Sequence, residues 1–161
     1  MTQSQRKTTP KTSPKSQEAT ALLRADHKLV DSLFEQYESA KTSAKKKALV
    51  AQICQELTIH AQIEEEIFYP QVQDALNDHE LVPEAVVEHA TLKDLIAQIE
   101  DAEPDSEMYD AKVKVLSEYV KHHVKEEQNE IFPKVKKSDL DLAAIGEELI
   151  QRKEELLGKV K

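Results

Sequence analysis

The sequence predicts an all-α protein: an up-down-up-down four-helix bundle with a shorter C-terminal fifth helix. Three observations carry that expectation. The helix formers Ala, Leu, Glu, Gln and Lys dominate, and only two of the 161 residues are glycine. Apolar residues recur at steps of three and four over four long stretches, separated by short polar connections. One helical hairpin is also written twice. "DHKLVDSLFEQYE" (26–38) aligns with "EHATLKDLIAQIE" (88–100), which sets His27 on His89. His60 follows His27 by 33 residues, and His123 follows His89 by 34.

The first helix is predicted over residues 17–38, with Leu23, Val30, Phe34 and Tyr37 in one apolar seam. "SAKTSAKKK" breaks that pattern and reads as a polar connection. The second helix runs from 44 to 76, with Leu49, Ile53, Leu57, Ile67 and Phe68 inward. Pro70 predicts a kink near its end. After "NDHELVP", the third helix begins near Pro83, a good first-turn residue, and ends near Glu100. Its stripe is Val82, Val86, Leu92, Ile96 and Ile99. "DAEPDS" has turn and helix-start chemistry. The fourth helix spans 106–135, with Leu116, Tyr119, Val120, Ile131 and Phe132 inward and Pro133 near its end. The last helix covers 138–158, is charged and amphipathic, and takes Ser138 as its cap. It is expected on the outside of the bundle.

Composition removes several function classes. The single cysteine, Cys54, excludes an internal disulfide and a cysteine-based zinc site, and fits a reducing, cytoplasmic setting. No apolar run approaches the roughly 20 residues that span a bilayer, and no signal-peptide segment follows the N-terminus. The net charge is −9. Residues 1–18 carry four basic residues and one acid and read as a disordered basic leader, with the bundle domain at 19–161. The remainder carries 18 basic and 30 acidic residues. Such an acidic body repels nucleic acid and anionic membrane, so neither is an expected partner.

The chemistry lies in "HAQIEEEIFYP" (60–70) and "HVKEEQNEIFP" (123–133). In each, a glutamate follows the histidine by four residues and a proline follows the glutamate by six. Residues i and i+4 share a helix face, so His60 points with Glu64, and His123 with Glu127. All four belong to inward stripes. His60 continues Leu49, Ile53 and Leu57, and His123 continues Leu116 and Tyr119. His27 lies between Leu23 and Val30, and His89 follows Val82 and Val86. A buried carboxylate must be paired, protonated or metal-bound. Six such residues converging on a bundle core predict two di- or trivalent cations, with imidazole and carboxylate favouring iron and, less strongly, manganese or a mixed pair. A polar network without metal is the weaker account. His79 and His122 fall outside the site. Glu65, Glu66, Glu126 and Glu130 are expected in solvent, with one of them available as an extra ligand. Tyr119, one turn before His123, is read as a core residue, with a role facing the metals as the alternative.

The order His27, His60-x-x-x-Glu64, His89, His123-x-x-x-Glu127, with its "EEEIFYP" and "EEQNEIFP" endings, resembles the hemerythrin-like, HHE cation-binding family. The resemblance covers residues 20–157. It implies a four-helix bundle around a non-haem di-iron centre, in which oxygen carriers of the family bind O2 at one iron as a hydroperoxide. It further implies that His27 and His60 bind one iron, that His89 and His123 bind the other, and that Glu64 and Glu127 bridge them beside an oxo or hydroxo group. Two departures stand out. Lys93 occupies the place of a further histidine in the oxygen carriers, and His123-x-x-x-Glu127 replaces a His-x-x-x-x-Asp. The expected site has about two histidines per metal, with either a neighbouring residue filling the gap or positions open to ligand. Lys93 reads as a surface residue, with donation to a bound peroxide as the other option. The expected function is binding or sensing of O2, peroxide or NO. The alternatives are an enzyme that decomposes peroxide or reduces NO, and an interaction or regulatory module whose metal only holds the fold.

Overall fold

A computed structural model describes residues 17–159. Its elements are α1 (Ala19–Ser39), α2 (Ser43–Ile63), a π-helical turn π1 (Glu64–Phe68), α3 (Tyr69–Leu76), α4 (Leu81–Glu100), α5 (Glu107–Glu126), a second turn π2 (Glu127–Ile131), α6 (Phe132–Lys136) and α7 (Leu142–Lys159). There is no strand among the described residues. The rods α1, α2–π1–α3, α4 and α5–π2–α6 form the four-helix bundle. Within it α1 pairs with α2 and α4 with α5, and the two hairpins meet through α1 with α5 and α2 with α4. α7 packs outside, against α1 and α2.

The helices α1, α2, α4 and α5 start where a side chain satisfies their free amides. Glu18 accepts from the Thr20 and Ala21 N–H groups, Thr42 from Lys45, and Ser106 from Tyr109. Asp78 accepts from Leu81 and Val82, so α4 begins two residues ahead of Pro83. Most of the predicted leader lies outside the described residues. Its last two residues belong to the folded body: Glu18 caps α1, and Gly146 of α7 sits against this segment. A Cβ at Gly146 would lie 2.3 Å from the Gln17 carbonyl oxygen, so only glycine lets α7 approach this closely.

Three local expectations need correction. Pro70 and Pro133 do not merely kink their helices. Each follows a π turn in which the Tyr69 or Phe132 N–H reaches back five residues, to the carbonyl of Glu64 or Glu127. Proline cannot donate to the carbonyl four residues back and its ring crowds that carbonyl; widening the preceding turn accommodates both. Ser138 does not cap the last helix. Its hydroxyl serves the turn by bonding Val135 O and Leu140 N, and Asp141 accepts from Ala144 at the start of α7. Val86 is 43% exposed, and Ala85 takes its place in the inner stripe, because Val82, Ala85, His89 and Leu92 step by three and four.

The core forms two apolar clusters. One joins Leu23, Ile63, Phe68, Phe132, Val135 and Leu149 at the α3, α6 and α7 end. The other joins Val30, Phe34, Ile53, Leu57, Leu92 and Leu116 at the opposite end. A layer of buried polar side chains lies between them: Asp26, His60, Glu64, His89, His123 and Glu127.

Candidate metal centre

The structure brings His27, His60, Glu64, His89, His123 and Glu127 together in that layer. Glu64 is 0% and Glu127 1% exposed. Each carboxylate divides its oxygens between two histidines from different hairpins. Glu64 Oε2 lies 3.4 Å from His60 Nε2, and its Oε1 lies 3.2 Å from His89 Nε2. Glu127 Oε1 lies 3.1 Å from His27 Nε2, and its Oε2 lies 3.9 Å from His123 Nε2. Two clusters result, one of His27, His60, Glu64 and Glu127 and the other of Glu64, His89 and His123. Within each, the donor atoms fall within 4.8 Å of one another.

The far nitrogen of every imidazole is held from behind. His60 Nδ1 donates to Asp26 Oδ2 at 2.8 Å, and His123 Nδ1 to Glu88 Oε1 at 2.5 Å. His89 Nδ1 donates to Glu65 Oε2 at 2.7 Å, and His27 Nδ1 to Gln128 Oε1 at 2.8 Å. These supports obey the sequence repeat. Asp26 and Glu88 each precede the lone histidine of their hairpin, and Glu65 and Gln128 each follow the glutamate. Glu65 therefore stands behind His89, on the side away from the Nε2 cluster. Lys93, whose side chain is 46% exposed, bonds Glu65 Oε1 at 2.9 Å on the surface. Lys153 of α7 bonds Asp26 Oδ1 at 2.6 Å.

A donor N–H at Nδ1 leaves Nε2 of a neutral imidazole as a bare lone pair. That consequence tests whether these residues fit cations. His89 Nε2 and His123 Nε2 face each other at 3.1 Å, and two lone pairs in that position need a cation or a proton between them. In the other cluster His27 Nε2, His60 Nε2, Glu64 Oε2 and Glu127 Oε1 are buried without a hydrogen-bond partner among the described residues. The His27 and Glu127 atoms are close but misaligned for a bond. Each such atom costs about 1–3 kcal/mol if left unpaired. All four point at one place, where a metal would satisfy them together.

The electrostatics show the same demand for positive charge at this place, met by a proton or by a metal. Burial opposes a charged His60, but Glu64 and Asp26 outweigh it and hold its pKa well above the usual imidazole value. Burial also opposes ionised Glu64, yet His60 and His89 keep its pKa well below the usual carboxylate value. For Asp26 burial is again overcome, by His60 and Lys153, and the pKa is lowered.

Sequence reasoning missed Tyr69. Tyr119, read as a core residue with a role facing the metals as the alternative, is a core residue, half-buried and packed in the apolar cluster below the site. The Tyr69 hydroxyl enters the site, donating to Glu127 Oε2 at 2.5 Å and lying 3.1 Å from Glu64 Oε1. It stands 3.4 Å from both His89 Nε2 and His123 Nε2. Burial and the two carboxylates push its pKa well above that of a free phenol, so it keeps its proton. Opposite it, a cavity of about 20 Å³ is lined by the four histidines with Val30, Leu57, Leu92, Val120 and Val124. His79 is exposed, and His122 is a surface residue 3.3 Å from Glu126.

Comparison with known proteins agrees with this architecture. The chain aligns at a TM-score of 0.77 with the crystal structure of a hemerythrin HHE cation binding domain-containing protein from Mycobacterium kansasii. That likeness covers 89% of both chains at 24% identity and concerns the fold. A DNA nickase of Nostoc sp. (strain PCC 7120 / SAG 25.82 / UTEX 2576) is 29% identical over 115 residues, which are 71% of this chain and 32% of that protein. The chain thus spans about a third of that relative's length. The family model for the hemerythrin HHE cation binding domain matches residues 18–135, from the cap of α1 to α6. The chain belongs to the hemerythrin HHE cation-binding family.

Proposed function

We propose that the chain is a non-haem di-iron protein that binds or senses O2, peroxide or NO. His27 and His60 hold one iron, His89 and His123 the other, and Glu64 and Glu127 bridge them. The observation that carries this reading is the division of each carboxylate between the two hairpins, with its oxygens directed at histidines of different clusters. The donors are nitrogen and oxygen only, a set that favours iron over softer metals, with manganese or a mixed pair next. Bound metal supplies Lewis-acid and redox chemistry. The chain's own residues set the ligand geometry, and the small apolar-walled cavity on the histidine side has room for one small molecule. Tyr69 keeps its proton against the bridging carboxylates, so it serves as a hydrogen-bond donor beside them and not as a ligand in place of the histidine that Lys93 replaces.

That proton supports a second reading, an enzyme that decomposes peroxide or reduces NO. Peroxide decomposition shuttles protons between oxygens with no net uptake, and reduction of two NO to N2O and water takes up two protons with two electrons from an external reductant. We place the protein in the cytoplasm, consistent with one cysteine, buried and unpaired. No helix among the described residues is long and apolar enough to cross a membrane. The net charge of −9 opposes contact with a phosphate backbone, so we assign no nucleic-acid partner to this chain. We read the curated relative's DNA-nicking role as residing in the two-thirds of it that this chain does not span.

Metal analysis with the visible spectrum of aerobically purified protein tests the proposal. Close to two irons per chain are expected, with near-ultraviolet bands that shift on adding azide or peroxide. Oxygen release from peroxide would select the enzyme. Folded, colourless protein that takes up no added iron would overturn the di-iron reading.

A further inference from the structure

We propose that the groove between α1 and the α5–π2 rod is the entrance by which small anionic ligands reach the metal centre, and that Val120 and Val124 form the wall they must pass. This rests on the di-iron reading above. The groove is a surface hollow of about 330 Å³. It shares His27, Val120 and Val124 with the small cavity against the four histidines, so these three side chains alone face both spaces. Three other surface hollows share no lining residue with that cavity.

Position and burial argue for passage here. The far side of the metal layer is closed by Tyr69 and the two carboxylates, packed on Phe68 and Phe132. On the cavity side the walls other than the four histidines and Asp26 are aliphatic. Val120 is 7% exposed and Val124 is half-buried, so one valine rotamer change separates cavity from groove. His27 is itself part of this wall, and an arriving ligand meets the first iron before the second.

Charge argues for an anion. Lys28, Lys121 and Lys125 line the groove against a single acid, Asp31. This locally positive mouth opens in a protein whose net charge is −9. A cluster of one sign at a cleft raises the arrival rate of the opposite sign by roughly tenfold or more, and salt removes the effect. Neutral O2 would use the same path without that gain.

Azide association with iron-loaded protein, followed by stopped-flow absorbance at several ionic strengths, tests the route apart from any turnover. The wild-type association rate should fall as salt rises. The double variant Lys121→Glu, Lys125→Glu should associate roughly tenfold more slowly at low salt and lose the salt dependence, with an unchanged azide spectrum. Val124→Phe should slow association and dissociation together and leave the equilibrium constant almost unchanged, while Val124→Ala should speed both. Lys45→Glu, on the exposed start of α2, should leave every rate as in the wild type. Wild-type rates in both Val124 variants would overturn the route. Salt-independent association, unaltered by the lysine pair, would overturn the selection of anions. Iron-loaded wild type without any azide band would overturn this inference and leave metal binding standing. A chain that takes up no iron would overturn both.

Discussion

The two halves of the metal layer occupy equivalent positions in a duplicated hairpin, yet they are built differently. The His89–His123 half has Tyr69 against its nitrogens, and both of its outer supports are carboxylates, Glu65 and Glu88. The His27–His60 half has Phe132 where the repeat places Tyr69, stacked parallel to His27 with centroids 6.2 Å apart. Its supports are one carboxylate, Asp26, and one neutral amide, Gln128. Among the described residues, the four buried side-chain atoms without a hydrogen-bond partner all lie on this side. Among the described residues, α7 braces this half through Lys153 on Asp26 and makes no such contact with the supports of the other half. A carboxylate behind a histidine makes it a better donor than an amide does. The difference teaches that a repeated hairpin sets its inward histidines and glutamates symmetrically while the residues behind them make the two ends unequal. The His89–His123 end should hold its cation more tightly.

The largest expected effect comes from removing what the halves share. Glu64→Ala removes an oxygen directed at each half, and Glu127→Ala removes one directed at His27 and one 3.9 Å from His123. Metal analysis should show both cations lost rather than one. Full metal content in Glu64→Ala would refute the bridge. Asp26→Asn or Lys153→Met should act on one half only. Titration with metal should become clearly biphasic, with the weaker step weakened about 10–100-fold and the tighter step unmoved. Equal weakening of both steps would mean that the halves are not separable. Tyr69→Phe makes the halves alike on their apolar side. It removes a hydrogen bond to a buried carboxylate, so denaturant unfolding of the metal-free protein should show a loss of about 1.5–3 kcal/mol. Phe132→Leu removes no polar contact and should leave the spectrum of the loaded protein unshifted, in contrast to Tyr69→Phe. Gln128→Glu should give the smallest change, a few-fold gain in the weaker metal step, seen as the two titration steps drawing together. His79→Ala lies outside both halves and should alter neither step.

The bundle and its six inward residues were legible because two signals coincided. The stripes had a helical period, and His-x-x-x-Glu recurred in the same register in both hairpins. Tyr69 was not legible by that logic. In an α-helix a residue five after Glu64 points well away from it, and only the π turn, with the Tyr69 N–H on Glu64 O, returns it to the same face. A trace of this was present in the sequence, since both prolines stand six residues after their glutamates. Tyr119, four residues before His123, packs in the apolar cluster as its core reading expects, and its alternative role facing the metals falls to Tyr69. Val120, also expected inward, is the more deeply buried of Tyr119 and Val120. The supports Asp26 and Glu88 were visible as an acid ahead of each lone histidine, although helical periodicity alone puts such residues beside the stripe and not behind a ligand. What α7 does was not legible at all, because the Lys153 to Asp26 contact joins residues 127 apart.

Anomalous diffraction from crystals of the iron-loaded protein tests the central claim most directly. The account predicts two iron peaks roughly 3.5–4 Å apart, one against His27 and His60 and one against His89 and His123, with Glu64 and Glu127 spanning both. A single peak, or iron only at the surface cluster of Glu88, His122 and Glu126, would contradict it.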